Sequence, residues 1–133
     1  MNITNVSVGQ TYSTTQNNSR AAAFLLRNDG NARVNVSIVA TALFSQAPAT
    51  SGSYRYNVTN ASANTSANMN CSGTNPGQNT WYNMPIGSSV NAICNLDYTD
   101  ANDYINISIQ ITVPSSEGGG DKQSTATFTG SQA

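Results

Sequence analysis

Residues 105–113 read Ile105-Asn106-Ile107-Ser108-Ile109-Gln110-Ile111-Thr112-Val113, an unbroken alternation of apolar and polar side chains. Successive side chains of a β-strand point to opposite faces, so this pattern predicts a strand with its isoleucines buried and its polar residues toward solvent. No helical period fits the same residues, and the segment therefore sets the expectation of a β-fold.

The same alternation recurs along the chain and predicts further strands. Their apolar positions are Val34, Val36, Ile38, Ala40 and Ala42; Tyr54, Tyr56 and Val58; Val90, Ala92, Cys94, Leu96 and Tyr98; Ala126 and Phe128; and Val6 and Val8. Residues 21–26 are all apolar and fit either a helix turn or a strand, and the stop at Asn28-Asp29-Gly30 favours a strand in a hairpin. About seven to eight short strands predict an all-β fold, an antiparallel immunoglobulin-like β-sandwich, with a jelly roll as the alternative.

Length and composition limit the number of domains and the classes of partner that the chain can have. Its 133 residues are enough for one domain, residues 1–133, with its own core. Charged residues make up 8% of the sequence and the net charge is -1, which gives no basic surface for nucleic acid or anionic lipid. The start of the sequence has no basic or apolar leader, so we expect any signal peptide or membrane anchor to lie upstream of Met1.

Nine Asn-x-Ser/Thr sequons are the most prominent chemical motif. They begin at Asn2, Asn5, Asn17, Asn35, Asn57, Asn60, Asn64, Asn70 and Asn106. Random order of the same residues would give about five. Asn5, Asn35, Asn57 and Asn106 lie opposite the apolar positions of their strands, so we expect exposed side chains that carry N-linked sugar. The alternative is a polar surface that is soluble without sugar.

Two cysteines also favour an exported protein. Residues 60–79 are rich in Asn, Ser and Thr and are expected to form a surface loop, and Cys71 lies within it. Cys94 has a core-facing position on a predicted strand. A Cys71–Cys94 disulfide would pin this loop to the sandwich and stabilise the fold by about 3 kcal/mol; two free thiols are the alternative. Two cysteines without a histidine cannot complete a zinc site.

Catalytic motifs are missing from the sequence. It has no histidine, one lysine and no nucleophile elbow or phosphate-binding glycine loop, so we expect neither catalytic residues nor a cofactor. Asp97, Asp100 and Asp103 are a candidate Ca²⁺ site, although their spacing does not match an EF-hand loop. The alternative is a polar turn in which aspartate side chains accept bonds from backbone N–H groups.

Two further segments suggest ligand or protein contacts. Trp81 and Tyr82 are candidates for a sugar-stacking platform, as in a carbohydrate-binding module or adhesin; the alternative is that they anchor the end of the sandwich. The predicted terminal strand, residues 124–129, is rich in threonine and has no charged side chain. An uncharged edge strand favours pairing with a strand of another subunit, and the alternative is pairing inside its own sheet.

Two hairpin-like stretches resemble archaeal cell-surface β-sandwich domains. The first is Phe24-Leu25-Leu26-Arg27-Asn28-Asp29-Gly30-Asn31 followed by Val34-Asn35-Val36-Ser37-Ile38; the second is Ile109-Gln110-Ile111-Thr112-Val113-Pro114, a glycine-rich turn, and Thr125-Ala126-Thr127-Phe128-Thr129. That family includes extracellular domains of archaellum and pilus proteins, of filament subunits and stators alike, and S-layer-associated proteins.

The resemblance implies a glycosylated, non-enzymatic domain at the cell surface. Its implied partners are S-layer proteins, filament subunits or further copies of the chain, with no nucleic acid and with membrane contact only through an upstream anchor. One feature departs from the family pattern: the long hydrophobic N-terminal helix of archaeal pilins and archaellins is absent from this sequence.

Overall fold

The alternating segment forms the longest strand, at the centre of the larger of two sheets. A computed structural model describes residues 7–14, 23–46, 52–60 and 80–133. These residues form eight strands: β1 Thr11–Ser13, β2 Phe24–Arg27, β3 Val34–Ala40, β4 Tyr54–Asn60, β5 Tyr82–Asn83, β6 Val90–Leu96, β7 Tyr104–Thr112 and β8 Ala126–Gln132. The described residues contain no helix, and hence no apolar helix that could cross a membrane.

The strands pair antiparallel in two sheets. The large sheet has the order β1-β7-β4-β5, with β2 also paired to β7. β4 pairs with one edge of β7 from Ile105 to Ile111. β2 and β1 pair with the other edge of β7, β2 along its first half and β1 near its end. The small sheet has the order β6-β3-β8. The predicted all-β, antiparallel fold is confirmed, and the immunoglobulin-like topology stays a prediction.

The core lies between the two sheets and consists mainly of the predicted apolar positions, together with Phe44, Met84 and Ile93, which strand alternation did not predict. Ile105, Ile107, Ile109 and Ile111 of β7 are buried, as are Tyr56 and Val58 of β4 and Val36, Ile38 and Ala40 of β3. Burial of each such side chain contributes about 1.5–3 kcal/mol, which makes this interface between sheets the main source of stability. Ala42 and Val8, predicted as strand positions, are exposed and lie outside the strands.

β6 departs from simple alternation. Ala92, Ile93 and Cys94 are all buried, and the register between β3 and β6 shifts on both sides of Val36. Each shift inserts an extra residue into β6, and Asn95 adopts a positive φ of 56°. Such bulges re-aim the side chains that follow. The predicted buried position of Tyr98 is therefore wrong: it lies beyond the strand and is 45% exposed.

Both predicted hairpins are wrong, although their strands are present. β2 pairs with β7 in the large sheet, while β3 pairs with β6 and β8 in the small one. The turn at Asn28-Asp29-Gly30 therefore crosses from one sheet to the other. The segment after β7 does the same, since β8 joins β3 and not β7.

Candidate functional site

The outer edge of β8 is the candidate functional site. One edge of β8 pairs with β3 along its whole length, from Val34 opposite Gln132 to Ala40 opposite Ala126. Within the described residues no strand pairs with its other edge. No residue from Gln123 to Ala133 has a charged side chain, so the usual protection of an edge strand by lysine or glutamate is missing.

The hydrogen bonds to β3 and its flanks show which backbone groups face this edge. The carbonyl of Thr125 accepts from Thr41 N, and the Ala133 N–H donates to Arg33 O, so odd-numbered residues bond toward β3. Along an antiparallel strand the N–H and C=O of successive residues point to alternate sides. The N–H and C=O groups of Ala126, Phe128, Gly130 and Gln132 therefore point to the free edge.

A cleft with both apolar and polar walls opens beside the same strand. It has a volume of about 360 Å³ and lies between the sheets. Its lining combines apolar and aromatic side chains with the polar residues Gln123 and Ser124 and the charged Lys122; the former are Phe24, Leu43, Tyr54, Ile109, Ile111, Ala126 and Phe128. Phe24 and Phe128 face each other across the sheets with ring centroids 6.4 Å apart. Burial raises the pKa of the Tyr54 hydroxyl, which shares a hydrogen bond with Ser124. A free strand edge and a cleft thus occur together on one flank.

A buried carboxylate fixes the segment that leads into β8. Glu117 Oε1 lies 2.6 Å from Lys122 Nζ, and the side chain of Glu117 is 1% exposed. The same carboxylate accepts hydrogen bonds from the N–H and hydroxyl groups of Ser45 and from Gln46 N. The Lys122 hydrogen bond, together with these N–H donors, lowers the pKa of Glu117 to about 2. The sequence patterns did not predict this ion pair. Its sign in the sequence is that the single glutamate lies close to the single lysine.

The candidate calcium ligands bind arginines and backbone groups. Asp97 Oδ1 accepts from the N–H groups of Tyr98 and Thr99, which lower its pKa, and Asp97 Oδ2 lies 3.3 Å from Arg33. Asp103 and Asp100 lie 2.7 and 3.3 Å from guanidinium nitrogens of Arg27. In the described part of the chain, no three acidic, histidine or cysteine side chains are grouped as metal ligands.

Asn28 holds the crossing between the sheets in place. Its buried Nδ2 donates to the carbonyls of Ala32, Leu96 and Asp97, and its Oδ1 accepts from Gly30 N. These bonds join the turn after β2 to the end of β6 in the other sheet. Sequence reasoning assigned this residue only to a turn, and no local pattern distinguishes a buried turn asparagine from an exposed one.

The sequon asparagines on strands differ in exposure. Asn35 and Asn106 are half-buried, and Asn35 Oδ1 accepts a bond from Asn95 N. The predicted exposure of Asn57 is wrong, because its side chain is 6% exposed. It lies opposite Ser108, which is also buried although its strand parity predicted solvent. Five further sequon asparagines lie outside the described residues: Asn2, Asn5, Asn17, Asn64 and Asn70. Asn60 is the last residue of β4, and its side chain is not among the described parts of the chain.

The remaining candidate residues are distributed over the sandwich. Cys94 is disulfide-bonded; Cys71 lies outside the described residues, and its pairing with Cys94 stays a prediction. Trp81 is half-buried, and Tyr82 packs against the core with its ring centroid 6.0 Å from that of Tyr56. The Tyr82 ring therefore contributes to the packing of the sandwich.

Comparison of the chain with protein-family models, with curated proteins and with solved structures found no match.

Proposed function

We propose that this chain is a non-enzymatic, N-glycosylated cell-surface domain that acts through contacts with neighbouring proteins. The observation that carries the proposal is the uncharged edge of β8, which lies beside an open cleft. Strand edges of this kind present unsatisfied N–H and C=O groups in a row, and they are the usual templates for strand addition between chains.

The extracellular location has two supports. Cys94 is disulfide-bonded, and structural disulfides are typical of exported proteins. Sequons occur at about twice the chance frequency. Two of them, at Asn35 and Asn106, lie on outward positions of β3 and β7 with part of the side chain accessible. The hydrogen bond from Asn95 N uses the oxygen of Asn35 and leaves its Nδ2, the atom that sugar modifies, uncommitted by that bond.

The biological setting that we propose is an archaeal surface filament, an archaellum or pilus, or its anchoring to the cell envelope. S-layer proteins or filament subunits would be the neighbours. This setting rests on the sequence resemblance of the strand-turn-strand segments around Asn28–Gly30 and after Ile109, not on their pairing, since neither forms a hairpin.

Glycosylation of the folded chain tests the modification. An oligosaccharyltransferase and a lipid-linked donor should transfer sugar to Asn35 and Asn106 in folded, oxidised protein, and site-resolved mass spectrometry would locate it. Asn57 should be modified only in reduced, unfolded protein, because folding buries its side chain. Transfer to Asn57 in folded protein, or no transfer to Asn35 and Asn106 in either state, would contradict the proposal.

Site-specific photocrosslinking on the cell surface tests the protein contacts. A photoreactive residue in place of Thr127, exposed on β8, should form a defined crosslinked species with another protein chain. The matched control replaces Asn91, exposed on β6 at the opposite edge of the small sheet, and should give much less product. Equal labelling at both positions would rule out the β8 edge as the contact site.

A further inference from the structure

We propose that the partner of the β8 edge is a second copy of this chain, paired antiparallel β8 to β8 about a twofold axis through Thr129. The proposal rests on the proposed role in surface assembly and names its partner. The two small sheets would then join into one continuous six-stranded sheet, β6-β3-β8 followed by the same three strands of the partner in reverse order.

The length of β8 determines the register of the proposed β8–β8 pair. Its residues run from Ala126 to Gln132, so Thr129 is the central residue. An antiparallel pair centred there matches all seven residues of each strand, whereas any other centre leaves residues unpaired at the ends. In this register Phe128 lies opposite Gly130 of the second copy. Both residues direct their N–H and C=O groups to the free edge, so they can exchange two hydrogen bonds.

Side-chain shape supports the same register. Phe128 and Gly130 share the inner face of β8, opposite Ile38 and Val36 of β3. A side-chain carbon placed on Gly130 would meet no heavy atom of the described residues within 4 Å, so these residues leave the space beside this glycine open. An aromatic ring placed across from a strand glycine covers the exposed backbone. Each Phe128 would therefore fill the open space beside the Gly130 of its partner, and the strand is complementary to itself.

Charge and area set the strength of the contact. Neither strand brings a charged side chain to the axis, since none occurs between Gln123 and Ala133, so two copies approach without like-charge repulsion. A contact of one strand with one strand is small compared with stable interfaces, which bury about 1,200–2,000 Å². We therefore expect a weak, reversible dimer at high protein concentration, of the kind that becomes populated when copies are crowded on a surface.

Sedimentation velocity of charge variants at Thr129 tests the axis. The side chain of Thr129 is exposed on the outer face, and in the proposed dimer it lies directly opposite its own copy. The natural chain should show a sedimentation coefficient that rises with concentration toward a dimer. Thr129→Lys and Thr129→Glu should each weaken dimerisation by at least tenfold, because like charges then meet on the axis. An equimolar mixture of the two variants should restore a dimer.

Asn91→Lys is the matched control, because it adds the same charge to an exposed strand position at the other edge of the small sheet. It should dimerise like the natural chain. A natural chain that stays monomeric at every concentration, or a mixture that fails to dimerise, would overturn the proposal. Dimerisation that is insensitive to both Thr129 charges would overturn β8 pairing while leaving the proposed surface role intact, because another face would then make the contact.

Discussion

At the scale of single residues, Glu117 and Lys122 are the sole glutamate and the sole lysine of the chain, and they bind each other. The carboxylate joins the loop at Ser45 and Gln46 to the segment that enters β8. An ionised carboxylate with this little exposure is stable because Lys122, Ser45 and Gln46 donate hydrogen bonds to it. Glu117 therefore holds the segment that precedes β8, while the pairing of β8 with β3 positions the strand itself.

Replacement of Glu117 by glutamine should lower the melting temperature at neutral pH. The pKa of Glu117 falls from 4.5 to about 2 on folding, so the ionised group stabilises the fold above pH 4.5 and this contribution is lost as the pH falls toward 2. The difference in melting temperature between natural chain and variant should shrink through that window. Asp121→Asn, at an exposed neighbouring residue, is the control and should behave like the natural chain. A pH-independent difference would refute the assignment.

Replacement of Asn28 by alanine should destabilise the fold by about 1–3 kcal/mol, because the carbonyls of Leu96 and Asp97 lose their buried donor. Asn31→Ala, in the exposed part of the same turn, should cost much less. Urea unfolding would measure both. Equal effects would mean that Asn28 acts only as an ordinary turn residue.

Exposure of single polar residues was the least predictable property. Strand parity correctly separates Ile107 from Asn106, but it predicts solvent exposure for Asn57 and Ser108, which are buried. Parity identifies which face of a strand a residue occupies, and it contains no information about whether that face is covered. Long-range packing decides the exposure, and the sequence pattern within one strand does not encode it.

At the scale of elements, β4 and β7 form the most extensive pairing of the large sheet and contain an unusual polar pair. Asn57 Oδ1 and Ser108 Oγ are buried and have no hydrogen-bond partner within the described part of the chain. The two residues lie directly opposite each other in the register. Unpaired buried oxygens cost free energy, so this site lowers the stability of an otherwise apolar sheet.

The double variant Asn57→Val with Ser108→Ala should therefore unfold at a urea concentration equal to or above that of the natural chain. Replacing both unpaired groups by apolar ones removes a desolvation cost without leaving a new unpaired atom. Ile107→Ala, on the same strand but in the core, should lower the free energy of unfolding by about 2–5 kcal/mol. A loss of similar size in the double variant would show that Asn57 and Ser108 have partners that stabilise them.

The disulfide of Cys94 stabilises β6, the most irregular strand. Replacing both Cys71 and Cys94 by alanine should lower the free energy of unfolding by about 3 kcal/mol, since a closed loop of about 24 residues restricts the unfolded chain. Non-reducing peptide mapping should recover the two cysteines in one crosslinked peptide. Two freely alkylated thiols in oxidised protein would contradict the pairing.

Strand identity was predictable for most elements, and strand pairing was not. Period-two alternation located β3, β4, β7 and β8 because each has one face in the core. The turn rules that predicted hairpins after β2 and after β7 consider only local residues. The turn after β2 crosses the sandwich instead, since Asn28 binds carbonyls at the end of β6.

At the scale of the whole molecule, the two flanks of the sandwich differ. The end near Arg27 and Asp103 is closed by ion pairs, whereas the flank at β8 combines an uncharged strand edge with an open cleft. The sequence predicted the uncharged terminal strand, but not the cleft, because its lining comes from strands that are distant in sequence and meet only after the sheets pack. We propose that the second flank, at the β8 edge, makes the protein contact.

Amide hydrogen exchange along β8 would reveal a contact at this edge, because the two sets of N–H groups have different partners. In dilute solution the amides of Thr127, Thr129 and Ser131, which face β3, should exchange slowly, and those of Phe128, Gly130 and Gln132 should exchange fast. At high concentration the second set should become protected as well. Protection of both sets in dilute monomer, or fast exchange of the second set at every concentration, would rule out strand pairing at the β8 edge.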